Sequence, residues 1–169
     1  MRDYDYEKFA EHYDSLELTA QTADQLNATL LKILKKCKAK RILDITCGTG
    51  AQAIFLDKRG FNVTASDYSK AMLAVAKKKY PRLKWRHGDI RTARYGKFDA
   101  VISIFNAIGH LSVKDFEKAL RNVAYNLKED GLYIFDIFNL DFMNRHFMHD
   151  EFIDRALEVG EMKFVRFNH

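Results

Sequence analysis

The first chemical signal lies in three carboxylates and a pair of glycines. Asp44 precedes the run Cys47-Gly48-Thr49-Gly50, Asp67 follows further along, and Asp89 stands in His87-Gly88-Asp89-Ile90-Arg91. A glycine-rich turn lets a ligand approach the backbone and the first turn of the next helix. This turn is not the dinucleotide fingerprint: with Gly48 as the middle glycine, the outer positions hold Thr46 and Ala51. No Gly-Lys-Ser/Thr follows, so it is not a Walker loop either. A tight turn between two elements explains the glycines equally well. An acid placed like Asp67 can accept two hydrogen bonds from a diol, or it can cap a helix. Asp89 can accept from an amino group, or pair with Arg91 in a turn.

The elements that position these groups follow from the apolar pattern. Leu26, Leu30, Ile33, Leu34 and Cys37 mark one face of a helix over 21–38, with Lys35, Lys36 and Lys38 in its last turns. Arg41 to Ile45 reads as a short buried strand, 46–50 as the glycine turn, and 51–59 as a helix stopped by Gly60. The cycle repeats. A strand over 61–66 ends at Asp67, and Ser69 opens a helix to Lys79 with Met72, Val75 and Ala76 inward. Leu83, Trp85 and His87 alternate in a third strand that ends near Asp89. The run 98–105 is a fourth strand, apolar on both faces. Ser112 and Asp115 open a helix whose apolar face is Phe116, Leu120, Val123 and Leu127; a fifth strand is expected over 132–138. Strands alternating with helices predict an α/β fold: a Rossmann-like, doubly wound, mainly parallel sheet of order 3-2-1-4-5 with helices on both faces. Ligands of such sheets bind beyond the carboxyl ends of the strands. Asp44, Asp67 and Asp89 all fall there, and together they describe a site for an adenosine without a pyrophosphate.

Composition sets the frame. The 169 residues are 47% apolar and 30% charged, enough for one core. Two cysteines, Cys37 and Cys47, are too few for a disulfide scaffold. The charged first residues do not match a secretory leader, and no long apolar run spans a membrane, so a cytoplasmic address is expected. The net charge of +5 permits an anionic partner without demanding one.

ILDITCGTG, VTASDYSKAMLAVAKKK, HGDIR, FDAVISIFNAIGHL and DGLYIFDIFN, in that order, resemble the motifs of class I S-adenosylmethionine-dependent methyltransferases. FNAIGHL and the N-terminal FAEHYD are most similar to small-molecule N-methyltransferases of the sugar-amine and glycine/sarcosine kinds. Thr46 stands where many members have glycine. The resemblance implies S-adenosyl-L-methionine as cofactor. Gly48 and Gly50 would pass under its methionine portion, and Asp44 would organise the loop. Asp67 would hold the ribose hydroxyls, with Tyr68 along the adenine edge. Asp89 would take the adenine amino group, and the Ile90 amide would face a ring nitrogen. Phe105 and Asn106 would border the emerging methyl; Thr46, Cys47 and Met72 complete the expected set.

The expected activity is methyl transfer to a small-molecule acceptor, with an amine favoured over a hydroxyl. RNA methylation and a non-catalytic cofactor-binding role are the alternatives. An ammonium acceptor must first lose a proton, and His110, just past the fourth strand, is the candidate base; a structural hydrogen bond is its other reading. Tyr13 matches a family position near the transferred methyl, or packs the N-terminal segment over the site. His146 and His149 could form half a metal site, but no further ligand pattern supports one, and no metal is expected. Lys77, Lys78, Lys79, Arg82, Lys84 and Arg86 read as a solvated helix end and edge strand, so nucleic acid is not an expected partner.

Three regions are expected: a helical cap over 1–38, a cofactor-binding core over 39–140, and the start of a lid or acceptor segment over 141–169. The family pattern implies seven strands, the last two a hairpin beside strand five. A helical stretch over 141–149 and one strand over 161–167, without a hairpin partner, are expected. The hairpin therefore reads as incomplete and the chain as a fragment, or strand five as covered by a partner, a homodimer among the options.

Overall fold

The computed structural model describes residues 10–15, 17–137, 152–159 and 162–168, with side chains for 10–14 and 26–137. It divides into two compact units, Met1–Asp136 and Ile137–His169. In the first, a 3-10 turn (Ala10–Ser15) precedes α1 (Glu17–Lys36) and β1 (Arg41–Asp44). There follow α2 (Ala51–Asp57), β2 (Asn62–Asp67), α3 (Lys70–Lys79), β3 (Lys84–His87) and β4 (Phe98–Ser103). A second 3-10 turn (Ala107–His110) leads into α4 (Val113–Asn126) and β5 (Leu127–Phe135).

The five strands form one sheet in the order β3-β2-β1-β4-β5, every pair parallel. This is the expected order. It follows from right-handed crossovers that run outward from β1 in both directions. Successive residues of β1 feed opposite layers. Ile42, with Val63, Ala65 and Ile102, packs against Leu30, Leu34, Leu56 and Leu73. Leu43, with Phe98 and Val101, packs against Ala119 and Val123 of α4. Burying each such side chain contributes about 1.5–3 kcal/mol, so the three central strands anchor the sheet. The edge strand β3 is mostly exposed.

Helix ends match their chemistry. Ser69 Oγ accepts the Met72 N–H at the start of α3 (3.2 Å), and Ser112 Oγ accepts the Asp115 N–H at the start of α4 (3.2 Å). Each satisfies an amide with no partner inside its helix. The polar side of α4 does something the apolar pattern did not foretell. Buried Asn122 donates to the carbonyls of Ile90 (2.9 Å) and Ala93 (2.7 Å), and Asn126 donates to Ala93 O (2.9 Å). Asn126 Oδ1 in turn accepts the Tyr95 N–H (2.8 Å). Two amides thus hold the connection between β3 and β4.

Several expectations are corrected. Leu120, expected inward, is 38% exposed. Leu127 leaves the helix face and begins β5, opposite Phe98. The fifth strand runs earlier than 132–138 and stops at Phe135. In the second unit β6 (Phe152–Val159) pairs antiparallel with β7 (Met162–Asn168) in a two-stranded sheet of its own, so the pairing mate absent from the sequence reading is β6. The helix expected over 141–149, with His146 and His149, lies outside the described residues. Among the described residues no helix is long and apolar enough to cross a membrane, and no group of His, Cys, Asp or Glu could hold a metal ion.

Candidate functional site

The site is built from β1 outward. Asp44, the last residue of β1, is 2% exposed, and the amides of Thr46 and Ala53 donate to its carboxyl. Burial, with the neighbouring Asp67 charge second, pushes the Asp44 carboxyl up to about 8. Its Oδ2 is buried without a hydrogen-bond partner. The Thr46 hydroxyl meets Ser103 Oγ at the end of β4 (2.8 Å), and the Cys47 N–H donates to Ser66 O of β2 (2.9 Å). The loop is thereby laced to both neighbouring strands. The Cys47 thiol is buried, which raises its pKa.

Asp67 closes the next strand. Its Oδ2 accepts the Gly48 N–H (2.7 Å) and its Oδ1 the Ser69 N–H (2.8 Å). Burial raises the Asp67 carboxyl, and the amides of Ser69 and Gly48 work against that rise. Gly48 has φ +52°, and a Cβ there would meet nothing within 4 Å, so the backbone faces open space. Gly50 has φ +90°, and a Cβ there would fall 2.5 Å from Trp85 Cη2. The two glycines are needed for different reasons, one for approach and one for packing.

The remaining expected residues divide. Met72 is buried at the start of α3 and Ile90 in the α4 layer. Tyr68 is 71% exposed; its ring lies 6.3 Å from that of His87, whose Nε2 meets Tyr68 O (2.9 Å). Asp89 is gripped by Arg91 through Nε (3.0 Å to each oxygen) and Nη2 (2.6 Å), which holds its carboxyl below the usual range. The pairing with Arg91 weighed from the sequence is therefore present. Phe105 and Asn106 both adopt positive φ, +66° and +54°. Two consecutive non-glycine residues in the left-handed region store strain where β4 gives way to the site. His110 is exposed at the end of the turn that follows, and Tyr13 is half-buried in the N-terminal turn.

Two carboxylates were not foreseen. Asp136 accepts the Asn106 N–H (3.0 Å) and so holds the strained turn. A strand drawn over 132–138 hides Asp136 inside it, whereas β5 ends at Phe135 and leaves Asp136 at a strand end like the others. Asp14 accepts from Thr49 Oγ1 (2.6 Å) and pairs with Lys79, tying the N-terminal turn to the glycine loop and to α3. Only the FAEHYD motif pointed toward that segment.

The buried acid has a pH signature. In the folded chain Asp44 keeps its proton up to about 8, while an unfolded chain releases it near 3.8. The folded state then holds the extra proton between those values, so this group's contribution to stability is full below about pH 4 and is lost as pH rises through about 8. Asp44→Asn retains the shape without the proton, and its urea midpoint is expected to fall less between pH 5 and pH 8 than that of the native chain.

Residues 42–131 match the family model described as a methyltransferase domain. A glycine/sarcosine N-methyltransferase of Aphanothece halophytica is 36% identical over 143 residues, covering 80% of this chain and 54% of that one. An S-adenosylmethionine-bound amino pentose methyltransferase from Micromonospora echinaspora aligns with a TM-score of 0.58 at 28% identity, covering 82% and 53%. An S-adenosylmethionine-dependent methyltransferase from Clostridium acetobutylicum reaches a TM-score of 0.78 at 21% identity, covering 96% and 80%, a likeness of fold. The chain spans 49% to 66% of the length of the curated relatives it matches.

Proposed function

The chain belongs to the class I S-adenosylmethionine-dependent methyltransferases, and from that premise we propose that it binds S-adenosyl-L-methionine and methylates a small-molecule acceptor, an amine in preference to a hydroxyl. The observation that carries the cofactor reading is the Asp67–Gly48 contact beneath open space at the Gly48 backbone. A carboxylate oxygen that already takes one amide has a further lone pair for a ribose hydroxyl. The unpartnered Asp44 Oδ2 adds a polar atom at the foot of the same loop. The amine preference is supported by relatives named as glycine and glycine/sarcosine N-methyltransferases.

The bound cofactor supplies a methyl group on a sulfonium, already activated for displacement. What the chain adds is alignment and dryness. Gly48 and Gly50 let the backbone lie against the methionine portion. Asp67 orients the ribose, and Asp89 with the Ile90 amide orients the adenine, Asp89 keeping its hold on Arg91. Phe105 and Asn106, fixed by Asp136, form the rim at the reacting end. Residues 1–38 act as a cap, a role supported by the Asp14 ties to Thr49 and Lys79. His110 takes the proton from an ammonium acceptor, because an amine attacks only through a free lone pair.

Three measurements test this. Calorimetry with S-adenosylhomocysteine is expected to show one site; no binding removes the cofactor. Methyl-labelled S-adenosylmethionine offered with glycine, sarcosine, amino sugars and their hydroxyl counterparts is expected to label the amines. Label on hydroxyls alone overturns the acceptor class. His110→Ala is expected to lower kcat about 100-fold while leaving S-adenosylhomocysteine affinity unchanged. Equal loss of both makes His110 structural.

A further inference from the structure

A cleft lies along one face of the sheet, running from the starts of β1 and β3. Arg41 is the first residue of β1 and Lys84 the first of β3, whereas Asp44, Asp67 and Asp89 lie at or just past the carboxyl ends. The register pairs Leu43 with Thr64, Thr64 with Lys84 and Ser66 with Arg86, so by the two-residue alternation Arg41, Thr64, Lys84 and Arg86 share one face of the sheet. Arg94 and Tyr95 reach it from the β3–β4 connection. These six residues line a cleft of about 420 Å³, within the size range of small-ligand sites.

The charge balance is one-sided. Four cations line the cleft and no carboxylate does. Among the described residues none of the four joins an ion pair. Two are held by aromatic rings instead. The Arg41 guanidinium lies 4.7 Å from the Phe98 centroid, and that of Arg94 lies 4.1 Å from the Tyr125 centroid. Stacking occupies the face of a guanidinium and leaves its N–H edges available for an anion. Asp99 does not neutralise Arg41. Its Oδ2 accepts the backbone N–H groups of Lys40 (2.9 Å) and Arg41 (2.8 Å), and its Oδ1 takes Lys128 Nζ (2.7 Å).

The wall is firm. Tyr95 Oη meets Ser66 Oγ (2.8 Å), and its N–H is held by Asn126. A Cβ on Gly88 would stand 2.1 Å from Tyr95 Oη, so the phenol hydroxyl occupies the space that glycine leaves. Four like charges gathered in a preformed concavity raise the local potential and draw anions to it. We infer that this cleft binds a small, multiply charged phosphate ligand, of the diphosphate or nucleoside-phosphate class, at a place distinct from the cofactor site.

A nucleic-acid track would need the cations to continue beyond the cleft. Arg94 also borders a neighbouring hollow with Arg91, Lys118 and Arg121, but those cations are already paired, Arg91 with Asp89 and Asp115, Lys118 with Asp115 and Arg121 with Glu117. On the other side Lys79 is taken by Asp14 and Arg82 by Asp57. The four open cations therefore form a bounded site. The test uses the full chain and inorganic pyrophosphate, titrated by calorimetry at low salt. One-to-one binding is expected, weakened at least about tenfold in the double variant Arg86→Gln, Arg94→Gln, since each lost charge-assisted hydrogen bond is worth a large factor. The thermal midpoint and S-adenosylhomocysteine affinity of that variant are expected to match the native chain, which separates loss of the cleft from loss of the fold. Lys84→Gln, on the exposed start of β3, removes a third cation and is expected to weaken pyrophosphate in the same direction. Absence of pyrophosphate binding, or equal binding by native and both variant proteins, overturns the inference. So does binding of a single-stranded oligoribonucleotide that pyrophosphate fails to displace.

Discussion

Asp67→Ala is expected to lower the affinity of the full chain for S-adenosylhomocysteine by at least about 100-fold in calorimetry. The magnitude follows from what the carboxylate does. In the cofactor reading it accepts both ribose hydroxyls, and hydrogen bonds to a charged group contribute about 1.5–3 kcal/mol each. A hundredfold change corresponds to about 2.7 kcal/mol, so even partial compensation by water leaves a large loss. Alanine also strips the Gly48 and Ser69 amides of their acceptor, which loosens the loop that the ligand rests on. Asp67→Asn keeps an acceptor oxygen and is expected to fall between the two. An affinity unchanged in Asp67→Ala takes the residue out of the site and with it the carrying observation.

Gly50→Ala is expected to cost about 3 kcal/mol of folding stability, read from urea denaturation. A non-glycine residue in the left-handed region costs about 1–2 kcal/mol. The new methyl would also stand 2.5 Å from Trp85 Cη2 and 3.3 Å from Ile54 Cδ1. The indole is not free to retreat, because its Nε1–H donates to Tyr80 O (2.8 Å). Gly48→Ala makes the contrast. Its φ of +52° carries a similar backbone cost, but nothing lies within 4 Å of the added carbon. It is expected to cost about 1 kcal/mol of stability and to weaken S-adenosylhomocysteine more than Gly50→Ala does. If Gly50→Ala proves neutral, the tight approach of Trp85 does not constrain the loop.

The parallel sheet and its order were legible because β1 and β4 carry short apolar runs bounded by turn residues, and β2, with Val63 and Ala65 between small polar residues, stands between two helices. The carboxylates at strand ends were legible for the same reason: a strand whose end is clear fixes the residue that follows it. Where a boundary was blurred, the site residue was lost with it. The helix-to-strand junction at Asn126 and Leu127 has no glycine or proline to mark it, so α4 was drawn too long and β5 too late; at the other end the apolar Ile137 and Phe138 extend the strand pattern past Phe135, and Asp136 stayed hidden. Leu120 shows the limit of periodicity, since an apolar side chain at the helix margin can face water at little cost. Asn122 and Asn126 were illegible because polar residues in an amphipathic helix read as its solvent side. Only the partner carbonyls, about thirty residues away in the chain, reveal that they are buried. The β6 strand, FIDRALEV, is mixed in charge and lacks strict alternation, which left its partner β7 without a visible mate.

The grip of Asn122 and Asn126 has a consequence for how this protein can diverge. Both amides hold main-chain carbonyls, which every amino acid possesses, so the middle of the β3–β4 connection, around Ala93, is held from the helix, while Asp89, Arg91 and Tyr95 fix its two ends with their own side chains. The stretch is a cassette. Thr92 and Arg94 can be exchanged in a library while the backbone path stays fixed, and one surface can be rewritten in charge without redesigning the fold. The two asparagines carry the opposite burden: they are the positions at which such a library would tolerate almost nothing.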